Sequence, residues 1–199
     1  MAGRAPKRHE AAPSGGRPAH RANGARRATA VPPRGPRFAI VAARFHEAIT
    51  ARLVDGALNA LFAAKISREH VDVHWVPGSF ELPLAAAHLA AAGRYAGIVC
   101  VGVVIRGQTP HFDHVAREAA AGIRHVAVTT GVPTTFGVIT ALSEKQAWER
   151  AGGEVGNRGE EAAEAAVEMA EFVERVRSSR RTRPKTETGP RAGARPRRR

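Results

Sequence analysis

The chain has 199 residues, a formal net charge of +13 and one cysteine, Cys100. A single cysteine excludes a disulfide within the chain and favours a cytoplasmic location. No stretch of the sequence is long and apolar enough to span a membrane.

The positive charge is concentrated at the two ends of the chain. Residues 1–36 hold eight Lys and Arg against one acid, for a net +7, and residues 177–199 hold ten against one, for +9. The chain's +13 therefore leaves −3 for residues 37–176, which we expect to form one domain. Both ends are rich in Pro, Gly, Ala and Arg and almost lack large apolar residues, so we expect disordered basic tails. A transit peptide at the N-terminal end and tails that bind nucleic acid are the alternatives to purely solvated tails.

Between the tails, apolar periodicity predicts alternating strands and helices. The predicted strands are 38–43, 71–76, 97–105 and 134–140, and the predicted helices are 47–65, 81–92, 110–128, 144–151 and 159–176. Ser143 and Gln146 form a capping box before the fourth of these helices. The alternation predicts an α/β fold with three layers, in which helices cover both faces of a parallel sheet. Ligands of such sheets bind at the carboxyl ends of the strands.

Two predicted loops carry residues that are suited to binding a ligand. Phe45 follows the first strand, and its ring either stacks on a flat heterocycle or closes the core. The turn Pro77-Gly78-Ser79-Phe80-Glu81 follows the second strand. Glu81 is favoured there by the helix dipole, and its carboxylate also suits the hydroxyl groups of a ligand.

The most informative segment is GVVIRGQTPHFDHV, from Gly102 to Val115. It predicts a buried strand, a polar loop and a helix with Thr109 as its N-cap and Pro110 as its first residue. His111 would then lie in the first helical turn, where the dipole attracts an anion and disfavours the imidazolium. A neutral histidine beside an anion is suited to proton transfer, with a purely structural histidine as the alternative. Because no third ligand is placed to join His111 and His114, we predict no metal site.

The remaining signals are weaker. Cys100 lies inside the third strand and is interpreted as a small apolar core residue. Phe136 is placed at the end of the fourth strand, and Arg150, by itself, is interpreted as a solvated arginine. The glycine-rich segment Gly152 to Asn157 does not follow a strand, so it predicts a helix–helix connection and not a dinucleotide-binding loop.

Five segments resemble, in register, the motifs of the lumazine synthase family. They are Arg44-Phe45 after FAIVAA, VPGSFELPLAA, IRGQTPHFD, GVPTTFGVIT and ERAGGEVGNRGEEAA. The resemblance runs from about Arg37 to about Val176 and implies a flavodoxin-like sheet with the strand order 2-1-3-4. It further implies a transferase without cofactor or metal. This enzyme would condense 5-amino-6-(ribitylamino)uracil with 3,4-dihydroxy-2-butanone 4-phosphate, losing phosphate and water, in the penultimate step of riboflavin synthesis.

The resemblance also implies a role for particular residues. It implies that His111 is catalytic. The residues that it implies for binding the pyrimidine and its ribityl chain are Phe45, His46, Ser79, Phe80, Glu81, Val103, Val104, Ile105 and Phe136. Those that it implies for binding phosphate are Gln108, Thr109 and Arg150. The chain departs from common family residues at His46 (often Asn), Gln108 (usually small), His114 (often aromatic, interpreted here as a packing or surface residue) and Arg158 (often Lys).

The family resemblance implies a homo-oligomer with active sites between neighbours. It implies pentamers, a shell of sixty subunits in some members, small-molecule substrates, and riboflavin synthase as a partner. The short link from Gly152 to Asn157 favours the shell-forming members. One alternative is a non-catalytic shell or binding protein of the same fold whose basic tails grip an anionic cargo. Another is a flavodoxin-like flavin binder, but its Ser/Thr-rich phosphate loop is missing after the first strand.

Overall fold

The computed structural model describes residues 35–181, so most of the tails expected over residues 1–36 and 177–199 lies outside the described residues. The main elements follow the predicted order. They are β1 (Arg37–Ala43), α1 (Glu47–Ala63), β2 (Val71–Val76), α2 (Leu82–Ala91), β3 (Tyr95–Ile105), α3 (His111–Thr130), β4 (Thr134–Ala141), α4 (Glu144–Glu149), β5 (Ala151–Gly153), β6 (Gly156–Asn157) and α5 (Arg158–Arg181). Short 3₁₀ helices at Arg68–His70 and Ser79–Glu81 precede β2 and α2.

Strands β1 to β4 form one parallel sheet in the order β2-β1-β3-β4. At its carboxyl edge Ala43 pairs with Val76, and Ile105 pairs with Ala141. The predicted α/β class and the strand order implied by the resemblance are both confirmed. Because the strands run in parallel, the loops that follow β1, β2 and β3 emerge at the same edge.

Helices cover both faces of this sheet. α1 and α5 pack on one face, where Ile40, Leu53 and Ile139 belong to the buried core, and α2 and α3 pack on the other, around Val41 and Ile123. Completely burying each of these aliphatic side chains contributes about 1.5–3 kcal/mol to folding. The two cores stabilise both faces of the sheet, so the loops at its edges need not contribute to the core.

Helices α1 and α5 approach each other closely. A Cβ atom at Gly159 would overlap the backbone of Leu53, so only glycine allows this approach. The Asn157 side chain donates to the Arg52 carbonyl oxygen (2.8 Å) and accepts from the Gly159 amide (2.9 Å). Asn157 therefore caps α5 and also joins it to α1.

Several predicted local features need correction. The segment predicted as a plain helix–helix connection contains the antiparallel ribbon β5-β6. Pro110 and not Thr109 occupies the N-cap of α3, and no side chain caps that helix. Helix α5 continues to Arg181, five residues beyond its predicted end at 176. The capping box is confirmed: the Ser143 hydroxyl accepts from the Gln146 amide at 3.3 Å.

Cys100 is completely buried in β3, as expected for an apolar core residue. Burial raises the pKa of its thiol to about 12, so the reactive thiolate is disfavoured. None of the helices between residues 35 and 181 has the length and apolar character needed to cross a membrane.

The amino edge of the sheet carries a polar cluster, defined as Arg37, Asp72, Arg94 and Tyr95. The Asp72 carboxylate accepts hydrogen bonds from Arg37 (2.9 and 3.1 Å) and from the Tyr95 hydroxyl (2.7 Å). The guanidinium of Arg94 lies over the Tyr95 ring, 4.9 Å from its centroid, and donates to the Tyr95 hydroxyl. Partial burial opposes ionisation of Asp72, but these hydrogen bonds and positive charges hold its pKa below the ordinary value.

Candidate active site

The carboxyl ends of β1, β2 and β3 border a pocket of about 590 Å³, called here the carboxyl-edge pocket. It brings together nine of the predicted site residues, which come from the segments that follow β1, β2 and β3 and from the end of β3 itself. They are Phe45, Ser79, Phe80, Glu81, Val103, Val104, Ile105, Thr109 and His111. This position at the carboxyl ends of parallel strands is the one expected for a ligand in such a sheet.

Two phenylalanines on neighbouring loops give the pocket an exposed aromatic wall. Phe45 is 68% exposed and Phe80 is 59% exposed. Neither ring closes the core, so the core alternative for Phe45 is wrong. Exposed aromatic rings that line a concave pocket offer apolar faces to a flat ligand.

Ser79 supplies a polar group at the inner end of the pocket. Its side chain is buried, and its Oγ has no hydrogen-bond partner among the described residues. Gly102 makes this position possible, because a Cβ atom there would lie 2.7 Å from Ser79 Oγ. An unpartnered buried hydroxyl is costly unless something else bonds to it, so Ser79 is suited to a hydroxyl or carbonyl group of a ligand.

The start of α3 forms another wall. His111 is the first residue of α3, in the first turn as predicted, and lies in the pocket with Gly107 and Thr109. The amides of Gly107 and Thr109 donate to no other residue in the described part of the chain. Free amides and the positive end of a helix dipole favour an anion here.

The pocket of one chain does not include every predicted site residue. Gln108 lies in the exposed loop before α3 but does not line the pocket. Phe136 is the third residue of β4 and pairs with Cys100, five residues before the end of β3. The prediction that Phe136 ends its strand is therefore wrong, and its side chain, 43% exposed, lies outside the pocket.

Arg150 follows α4 as its C-cap residue and also lies outside this pocket. Its guanidinium donates to the Gln146 carbonyl oxygen at 3.0 Å and lies 3.8 Å from the Glu149 carboxylate. Partial exposure leaves other faces of this guanidinium accessible. Within one chain, Arg150 therefore has local partners and no contact with the pocket.

His46 lies beside the pocket but not in its wall. Its backbone is left-handed (φ 60°, ψ 45°), and its carbonyl oxygen accepts from the Ile49 and Thr50 amides at the start of α1. Its ring meets that of Phe45 edge to face, with centroids 4.8 Å apart. Asparagine and histidine both tolerate left-handed backbone, which gives a physical reason for either residue at this position.

His114, interpreted from the sequence as a packing or surface residue, instead lines the pocket. Its spacing of three residues from His111 on a predicted helix was the signal for this placement, since such side chains share a face.

A second cavity, of about 720 Å³, lies at the amino edge of the sheet, but none of the predicted site residues lines it. No group of three or more potential metal ligands occurs within residues 35–181.

Comparison with known families agrees with this geometry. Residues 35–174 match the model of the 6,7-dimethyl-8-ribityllumazine synthase family. The chain belongs to this family. The match covers β1 to β6 and most of α5, so it includes the whole carboxyl-edge pocket. Lumazine synthases are transferases of riboflavin biosynthesis that act on small molecules and form oligomers.

Proposed function

We propose that this lumazine synthase condenses 5-amino-6-(ribitylamino)uracil with 3,4-dihydroxy-2-butanone 4-phosphate to form 6,7-dimethyl-8-ribityllumazine. The observation that carries the proposal is the carboxyl-edge pocket itself, in a chain that belongs to the family. The pocket combines exposed aromatic rings, an unpartnered hydroxyl, a carboxylate and a histidine at a helix start. The aromatic rings suit a flat heterocycle, the hydroxyl and the carboxylate suit a polyol chain, and the helix start suits a phosphate ester.

The aromatic and apolar wall suits the pyrimidine. The rings of Phe45 and Phe80 offer faces to the heterocycle, and Val103, Val104 and Ile105 form the end of the buried strand beside it. Ser79 and Glu81 both line the pocket, and we assign their hydroxyl and carboxylate to the hydroxyl groups of the ribityl chain. We assign His46 to positioning the Phe45 ring, with which it packs.

The start of α3 suits the phosphorylated ketone. We assign the phosphate to the free amides of the loop Gly107 to Thr109, which includes Gln108. His111 then lies next to the reacting carbons and exchanges protons with them. Its imidazole can take a proton at one ring nitrogen and return it, as general acid–base catalysis requires.

The chemistry requires proton transfers and close positioning but no cofactor. The primary amine attacks the ketone, and water leaves as the imine forms. A proton then leaves C3, and its electron pair expels phosphate as the C4–O bond breaks; the resulting enol takes up a proton at C4 and becomes a methyl ketone at C3. The ribitylamino nitrogen attacks this ketone, and a second water leaves as the ring closes. In each dehydration the proton lost by nitrogen balances the one that the departing hydroxyl gains. His111 carries such protons between these atoms, and holding both reactants in one pocket supplies much of the acceleration.

Phe136 and Arg150 enter this proposal through a neighbouring subunit. Both lie outside the pocket of their own chain, and both remain at least partly exposed. We propose a pentameric ring in which each chain gives these two side chains to the pocket of its neighbour. Such a head-to-tail contact closes on itself around a rotation axis. The planar guanidinium of Arg150 would then meet the phosphate.

The direct test mixes the protein with both substrates and measures the fluorescent lumazine product together with released phosphate. The proposal expects both products in equal amounts, with neither formed when one substrate is omitted. Binding of the pyrimidine without any lumazine would instead support a non-catalytic binding protein of the same fold.

A further inference from the structure

His114 lies in the wall of the carboxyl-edge pocket, one helical turn after His111. Of the first five residues of α3, only Asp113 does not line the pocket. Side chains three apart share a helix face, and helical side chains lean toward the N-terminus of their helix. By these tendencies the imidazole of His114 would lean toward His111 and toward the loop that ends at Pro110.

Positive charge is scarce in this wall. No lysine or arginine lines the pocket in the described part of the chain, so His111 and His114 are the only possible cations that the chain itself supplies to it. Among residues 35–181, Glu81 is the one carboxylate that lines the pocket, and it belongs to the 3₁₀ helix Ser79–Glu81. Arg117 and Glu118 follow on α3 but do not line the pocket. Neither imidazole has a hydrogen-bond or ion-pair partner among residues 35–181.

The two histidines differ in their position on the helix. His111 is the first residue of α3, where the dipole opposes a positive charge most strongly. His114 is the fourth residue, and the influence of the dipole falls off within the first turn. A phosphate ester in a mostly apolar pocket requires a counter-charge. Histidine can provide one because its charge ordinarily changes between pH 5 and 8.

We propose that His114 binds the phosphate group of the ketone substrate as an imidazolium and makes affinity for that substrate depend on pH. His111 is then left free of the phosphate for proton transfer. The inference rests on the proposed function. It adds a charged side chain from the same chain to the loop amides and to the neighbour's Arg150, which are already proposed for the phosphate.

The test measures the KM of each substrate at about pH 6 and about pH 8.5, on either side of ordinary histidine titration. His114→Gln keeps a hydrogen-bond donor but cannot take up a proton, and His114→Lys carries a charge at both pH values. His125→Gln is the matched control, because His125 is exposed on the same helix and lies outside the pocket. Titration of the substrate phosphate affects all variants equally, so differences between them report on the side chain.

We expect His114→Gln to raise the KM of the phosphorylated ketone about five- to tenfold at the lower pH and hardly at all at the higher pH. The KM of the pyrimidine should stay within about twofold, because that substrate carries no phosphate. His114→Lys should keep the KM of the ketone low at both pH values. The control should match the wild type throughout.

An equal rise at both pH values would overturn the proposal, since it would indicate packing or a neutral hydrogen bond. A rise in the KM of the pyrimidine alone, or none in either KM, would also overturn it. Calorimetry with inorganic phosphate provides a readout that does not need turnover. A wild-type chain that forms no lumazine, yet binds phosphate more tightly at low pH than His114→Gln does, would overturn the proposed function and support the anion site.

Discussion

The two edges of the parallel sheet differ in whether their polar side chains have hydrogen-bond partners within the protein. At the amino edge, Arg37, Arg94 and Tyr95 surround Asp72, and among these four side chains only Nε of Arg37 is buried without a partner. At the carboxyl edge, the buried Ser79 hydroxyl has no partner among the described residues, and Phe45 is mostly exposed. Polar groups that satisfy one another stabilise the fold, whereas groups that lack protein partners are available to a ligand.

This difference predicts which property a substitution changes. Replacements at the carboxyl edge should alter turnover and leave stability nearly intact, since few protein contacts are lost there. Replacements in the amino-edge cluster should lower the free energy of unfolding and leave turnover intact.

The first prediction concerns His111, the proposed proton carrier. His111→Ala should lower kcat about ten- to a hundredfold without abolishing turnover, because positioning of the two reactants remains. Steady-state rates of lumazine formation measure the loss, and urea unfolding should show nearly wild-type stability. Asp113→Asn is the matched control, since Asp113 lies in the same turn but outside the pocket. Full turnover of His111→Ala would remove this histidine from the mechanism.

The second prediction concerns Arg150, which has no contact with the pocket of its own chain. Arg150→Ala should raise the KM of the phosphorylated ketone about tenfold, because it removes one charge-assisted hydrogen-bonding contact to the phosphate. The KM of the pyrimidine should change much less. Steady-state kinetics with each substrate varied in turn distinguishes the two effects.

Mixing the two mutants tests whether the site is shared between subunits. When His111→Ala and Arg150→Ala chains are unfolded and refolded together in equal amounts, about a quarter of the interfaces in a ring pair both intact residues. Activity should then rise well above that of either mutant refolded alone. A mixture with only the average activity of the two mutants would rule out the shared site.

The third prediction concerns the amino-edge cluster. Asp72→Asn should lower the free energy of unfolding by about 1 kcal/mol, because the lost charge-assisted bonds are partly exposed to solvent. Turnover should stay within about twofold of the wild type, because the cluster lies at the edge opposite the pocket. Urea unfolding and steady-state rates measure the two quantities. Asp55→Asn on exposed α1 surface serves as the control.

The pH dependence of stability follows from the same cluster. The pKa of Asp72 is lowered from its ordinary 3.8, so the stability that it contributes is present above that value and is lost as the pH falls through the lowered pKa. Burial, followed by the hydrogen bond to Asp72, raises the pKa of Tyr95 above its ordinary 10.0. Its contribution is therefore present below pH 10.0 and is lost as the pH rises through the raised pKa. In Asp72→Asn, the free energy of unfolding should therefore fall less steeply as the pH is lowered below 3.8 than it does in the wild type.

The sequence predicted the layers well because each depends on a strong local pattern. Buried β3 carries an uninterrupted apolar run, and α1 carries a stripe of helical period. The ribbon β5-β6 was missed because Ala151–Gly153 and Gly156–Asn157 show no apolar alternation. The N-cap of α3 was placed one residue too early, since Pro110 itself adopts helical backbone without side-chain capping.

Site residues were predictable where they follow a strand directly. Ser79 and His111 follow β2 and β3, and parallel strands bring such loops to one edge. Phe136 was misplaced although the predicted strand 134–140 already made it the third residue of that strand. Its pairing with Cys100 places it within the sheet and away from the carboxyl edge. The place of His114 depended on which face of α3 meets the pocket, a property of tertiary packing.

The last prediction uses the tails to sharpen the contrast between the edges. Pro36 and the last turns of α5 line the same cavity at the amino edge, so both ends of the described chain lie away from the carboxyl-edge pocket. A chain trimmed to residues 35–181 should therefore keep its turnover within about twofold and its Tm within about two degrees. Trimming to 37–176 also removes Arg177, which donates to the Gly131 carbonyl oxygen at 3.4 Å, and should lower the Tm slightly more.

The same trimmed chains test whether the basic tails bind nucleic acid. If they do, the full-length chain should retain nucleic acid and the trimmed chains should not, and the affinity should fall steeply as salt is added. Nucleic acid that copurifies with the trimmed chain would contradict the separation of charge between the tails and the domain.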